Sequence, residues 1–196
     1  MVPQIQTHID AKIAELAQMS DTGDPALAKW PSQIAALVRS VQSYEGSIIA
    51  QTIPATLALA PHLTVISQPR LALPERALRQ ADQEGPLIHM EYDGSGRERK
   101  LDQIVVDHET GIVEIAEVKR GWRPIGADHR RNRLRDDAAL RMLGLSYARR
   151  RLRFVGTECT TCVLSYYGRS GLPEHLTVRA SELDAHYRWP IRRTVE

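Results

Sequence analysis

No apolar run in this 196-residue sequence is long enough to span a bilayer, which takes about 20 consecutive apolar residues. Its first residues carry no basic stretch leading into an apolar segment. A cytoplasmic location with no membrane partner is therefore expected. Cysteine is scarce, with two residues, Cys159 and Cys162. Their spacing is half of a zinc site, with no second pair and no histidine placed to complete it, so both read as strand-end residues. Internal repeats and low-complexity segments are lacking. So is a strong charge imbalance, the formal net charge being +2. Length and composition fit one soluble globular domain with a real core.

The charge that is present is unevenly spread. Residues 1–98 carry a net −4, whereas residues 119–153 hold twelve Lys and Arg against three Asp. A basic block inside a mild chain points to a polyanion partner or to a solvated arginine-rich helix face.

The most informative stretch is Leu101–Arg120, LDQIVVDHETGIVEIAEVKR. Ile104, Val105 and Val106, then Ile112, Val113, Ile115 and Val118, supply strand-forming residues on either side of turn residues ending in Gly111. With His108–Gly111 as the loop, Asp107 faces Ile112 and Val106 faces Val113. Continued outward, the count sets Asp102 opposite Glu117. Alternation places Glu117 and Lys119 on one face, with Val118 and Glu114 on the other. Cross-strand neighbours lie about 4.5–5.5 Å apart at Cβ, a spacing suited to two carboxylates sharing a divalent cation.

Around this hairpin the chain reads as helices and strands. Gln4–Gln18 is amphipathic, suited to packing or self-association, so a homodimer is one expected state. A second helix starts near Ser32 and carries Ile34, Leu37, Val38, Val41, Tyr44, Ile48 and Ile49, with Pro54 and Pro61 limiting it. Glu45 interrupts that stripe. A carboxylate there either reaches water or is paired or bound to a cation. Strands are expected at Leu63–Ile66, Leu87–Tyr92, Cys162–Tyr167 and Thr177–Arg179, with a helical turn at Glu75–Gln83. A helix from Asp128, its expected cap, to about Ala148 turns Leu134, Ala138, Met142 and Leu145 to the core. Arg130, Arg131, Arg133, Arg135 and Arg141 crowd its other faces. A short helix is expected at Ser181–Tyr187. Hairpins make part of the sheet antiparallel, and the crossover through the long helix makes another pair parallel. The fold class is α/β, a mixed central sheet flanked by helices.

Glu45 in a first helix, Asp102 ending one strand, Glu117-Val118-Lys119 on the next and a basic helix after it resemble the PD-(D/E)xK nuclease superfamily. The resemblance runs from about Ser32 to Tyr167. Leu101 stands where the family's name-giving proline would be. The resemblance implies a restriction-endonuclease-like αβββαβ core over residues 32–167, with an N-terminal helical extension (1–30) and a C-terminal extension (168–196). It also implies a Mg²⁺-dependent (endo)deoxyribonuclease, with Mn²⁺ as a possible substitute. By that likeness Asp102 and Glu117 hold the metal, Lys119 serves the attacking water, and Glu45 supports the site. Arg133, Asp136 and Asp137 are candidates for further support. Arg120, Arg123, Arg130, Arg131, Arg133 and Arg135 are expected on phosphates, reading backbone rather than sequence. Two alternatives compete: a nucleic-acid-binding protein of the same fold without catalysis, and an interaction domain whose basic helix meets an acidic protein.

Overall fold

The computed structural model describes residues 44–83, 85–119, 126–168 and 170–192, together with residues 7 and 11. The expected helix over Gln4–Gln18, the start of the second helix at Ser32, and Arg120, Trp122 and Arg123 therefore lie wholly or almost wholly outside the described residues.

Helix α1 is described over 44–57. Pro54 does not end it; the ring sits in the last turns, and its carbonyl accepts the Ala58 N–H at 3.0 Å. Strands β1 (Leu63–Ser67) and β2 (Arg70–Leu73), helix α2 (Glu75–Ala81), and strands β3 (Arg97–Lys100), β4 (Gln103–Asp107) and β5 (Ile112–Lys119) follow. Helix α3 (Ala127–Tyr147) leads to β6 (Glu158–Ser165), β7 (Thr177–Arg179) and α4 (Leu183–Tyr187).

Five strands make one mixed sheet in the order β1-β4-β5-β6-β7, while β2 and β3 pair by themselves. β4 runs antiparallel to β1 and to β5, and β6 runs parallel to β5 and to β7. The β4–β5 register pairs Gln103 with Ala116 and Val106 with Val113, the pairing expected from alternation and turn chemistry. Gly111 fixes that turn. Its φ is +75°, and an added Cβ would come within 3.0 Å of the Thr157 Oγ1.

Each face of the sheet has its own core. Ile104, Val113 and Ile115 pack under Ala139, Leu140 and Leu143 of α3. Val105, Ala116, Val118 and Leu164 pack under Ile49, Ile53 and Leu57 of α1 and Leu183 and Tyr187 of α4. Full burial of each such Val, Leu or Ile is worth about 1.5–3 kcal/mol relative to exposure.

The core stripe of α3 differs from the expected one. Asp136, Asp137, Ala139, Leu140, Met142, Leu143 and Tyr147 are buried, whereas Leu134, Ala138 and Leu145 are half-buried. Hydrophobic spacing missed two buried acids because their charges are compensated inside the fold. The cap is Gly126, and Asp128 sits in the first turn, where it complements the helix dipole. The Leu87–Tyr92 run, expected as a strand, is irregular. Its backbone docks on α3 instead, Met90 N–H donating to the Met142 carbonyl (2.8 Å) and Tyr92 N–H to the Ser146 hydroxyl (2.9 Å). Among the described residues no helix is long and apolar enough to cross a membrane.

Candidate functional site

β3, β4, β5 and α3 bring charge together at one end of the sheet. Asp102 lies in the bend between β3 and β4, one step beyond the paired residues. Extending the register puts it opposite Glu117, and its Oδ2 accepts the Val118 N–H at 2.8 Å. That bond ties the Asp102 carboxylate to β5 beside Glu117.

Glu117 is surrounded by cations. Its Oε1 pairs with the Lys119 ammonium. Its Oε2 meets Arg99 at 3.1 Å and also pairs with Arg133. Arg133, expected on the phosphate side of α3, turns inward, with 10% of its side chain exposed. A second guanidinium nitrogen of Arg133 reaches Asp137 at 3.0 Å. Asp136 takes Arg97 at 2.9 Å and also pairs with Arg99. Asp102, Glu117, Asp136 and Asp137 are thus matched in number by Arg97, Arg99, Lys119 and Arg133.

Burial sets the electrostatics. It pushes the Asp137 carboxyl above its ordinary value against the pull of Arg133 and Arg99. It lowers Arg99 and Arg133 from theirs, with Asp137 opposing the shift at both. A buried charge is tolerable only when paired, and removing one partner leaves the other uncompensated. Asp137 Oδ1 and the Ser165 hydroxyl, at the position paired with Lys119, are buried without a hydrogen-bond partner among the described residues.

Glu45 belongs to the same end of the sheet but approaches from the other face. It sits on α1 and pairs with the hydroxyl of Tyr167, just beyond β6. Arg130 and Arg131 are exposed at the start of α3. With Arg135 they line a cavity of about 660 Å³ that also touches Asp82 and Leu134. Arg135 itself is tied to Asp82 at 2.9 Å.

Sequence reasoning missed Arg99. Its signal was present in Arg97-Glu98-Arg99, where alternation puts two guanidiniums on one face just before Asp102. The β2–β3 pair that presents them was not expected either.

The donor set at Asp102 and Glu117 is hard oxygen, which suits Mg²⁺. Among the described residues no donor reaches Asp102 Oδ1. Both oxygens of Glu117 face cations, so a metal bound there replaces Lys119 or an arginine at one of them. No protein-family model, curated protein or solved structure matches the chain.

Proposed function

We propose that this protein is a metal-dependent nuclease that hydrolyses phosphodiester bonds in DNA, built on the αβββαβ core of the PD-(D/E)xK superfamily. The observation that carries this reading is the β4–β5 register. It aligns Asp102 with Glu117, with Lys119 two residues on and on the same face. Two further features agree with it: α1 precedes the antiparallel strands, and α3 joins the parallel pair β5 and β6.

The division of labour follows from charge. Asp102 and Glu117 offer oxygen ligands to Mg²⁺ or Mn²⁺. The bound ion polarises the phosphoryl group and lowers the pKa of a water. Lys119 orients that water and offsets the negative charge that grows on the phosphoryl oxygens. Water attacks phosphorus, one P–O ester bond breaks, and the leaving oxygen departs as an alcohol. Arg99 and Arg133 hold Glu117 in place and supply positive charge beside it that would attract a phosphate. Arg130 and Arg131 engage neighbouring phosphates without reading bases.

A second reading is a DNA-binding protein on this core without cleavage. The saturation of Glu117 by three cations favours it, because each must yield before a metal enters. Plasmid, linear, single-stranded and branched DNA, incubated with Mg²⁺ or Mn²⁺, separate the two. The nuclease reading expects cleavage that EDTA abolishes. Salt-sensitive binding with every substrate intact supports the second reading.

A further inference from the structure

The opposite face of β5 holds a different set of donors. Glu114 points there, under α4, and is 8% exposed. His186 Nε2 lies 2.7 Å from its Oε2, and the Tyr187 hydroxyl donates to its Oε1 at 2.5 Å. Cys162 of β6, paired in register with Ala116, projects onto the same face and is 6% exposed. The carboxylate, thiol and imidazole donor atoms all lie within 4.8 Å of one another, the one such group of three among the described residues.

We propose that Glu114, Cys162 and His186 bind a zinc ion, with water in the fourth position. One sulfur, one nitrogen and one oxygen form a borderline-soft set that suits Zn²⁺ and does not suit Mg²⁺. A tetrahedral ion at 2.0–2.3 Å from its ligands spaces them at about 3.3–3.8 Å. His186 Nε2 and Glu114 Oε2, 2.7 Å apart, need to part by about 0.6 Å, and separations of up to 4.8 Å to close by about 1–1.5 Å, to reach that spacing. Charge argues the same way. Thiolate and carboxylate together cancel the dication, so the filled site is neutral in a place where net charge is costly. Tyr187 holds the other carboxylate oxygen and fixes the direction in which Glu114 presents its lone pair. A cavity of about 710 Å³, lined by Glu114, Cys162, His175 and His186, opens beside the donors and gives the ion and its water a way in.

The Cys-x-x-Cys spacing is misleading here. Cys159 and Cys162 are three residues apart on one strand, so they face opposite sides of the sheet. Cys159 packs against α3 in the other core. Cys162 finds its partners across the sheet and in the C-terminal helix, at a sequence distance no local motif spans. The bound ion would lock α4 onto β5 and β6.

Metal content by mass spectrometry and cobalt titration of the full chain test this. The expected result is one zinc per chain, and for the Co²⁺ form an intense thiolate-to-cobalt charge-transfer band. Cys162→Ser and His186→Gln each lose stoichiometric zinc, with affinity falling more than about 100-fold, beyond the range typical of an outer partner. Cys159→Ser and Glu117→Ala retain zinc, which separates this site from the nuclease reading. His186 is partly exposed, so His186→Gln keeps the native circular dichroism and reports on binding rather than folding. A folded wild-type chain with no zinc and no charge-transfer band overturns the proposal. So does unchanged zinc content in both Cys162→Ser and His186→Gln.

Discussion

Glu114 and Glu117 sit three residues apart on one strand and are neutralised in opposite ways. Glu117 faces guanidiniums and an ammonium, and the acids of α3 join it in a charged network. Glu114 faces a phenol, an imidazole and a thiol. The first environment is rich in fixed positive charge and hard oxygen, which suits a phosphate and a hard cation. The second is almost free of fixed positive charge and contains sulfur, which suits a softer ion. Strand alternation alone separates the two chemistries by the thickness of a sheet.

The largest effect expected of this contrast is catalytic. Lys119→Ala should lower the cleavage rate by about 10²–10³-fold, the range for removing one preorganised stabilising group. Metal affinity, followed by calorimetry, should stay within a few-fold. A parallel loss of metal binding would move Lys119 from chemistry to site assembly.

Next comes stability. Asp137→Ala leaves Arg133 buried with one partner fewer, and should cost about 3 kcal/mol in urea denaturation. Glu114→Gln, measured after EDTA treatment, still accepts from the Tyr187 hydroxyl but turns an amide N–H toward His186, which must change tautomer to accept it, and should cost about 1 kcal/mol. Equal costs at the two positions would erase the distinction between the faces.

A smaller effect concerns phosphate contacts. Replacing Arg130 and Arg131 with alanine should reduce the salt slope of DNA binding by about 2, near 1 for each contact. Base preference should not change.

The smallest effect is a pH dependence. The Ser146 hydroxyl holds the Glu91 carboxyl below its usual value of 4.5, opposed next by burial and helped by the weaker pull of Arg150 and Arg149. A lowered carboxyl contributes stability above its unfolded value and loses it as pH falls through the folded one. Wild type should therefore lose a slight advantage over Glu91→Gln below about pH 4.5, read from paired thermal melts.

The hairpin at the centre was legible because three local signals agree. β-Branched alternation and the turn ending in Gly111 specify one register, and the Glu-x-Lys spacing puts both residues on one face of it. The mixed sheet followed from the hairpin and the long crossover helix. Other parts were hidden for physical reasons. Leu87–Tyr92 has strand composition but spends its backbone bonds on α3, a tertiary choice that propensity does not carry. Arg133 reads as one of the outward, phosphate-facing arginines and Asp136 and Asp137 only as candidates for support, because hydrophobic spacing counts charges as exposed, whereas mutual pairing buries them. The partners of Glu114 and Cys162 lie on a terminal helix whose docking no short motif encodes.

The most direct measurement is cleavage of linear and plasmid DNA in Mg²⁺ by wild-type protein and by Glu117→Ala, with DNA binding followed in EDTA. The account predicts cleavage by wild type, none by Glu117→Ala, and comparable binding by both. Intact DNA with folded, DNA-binding wild-type protein, in Mg²⁺ and in Mn²⁺, would contradict it.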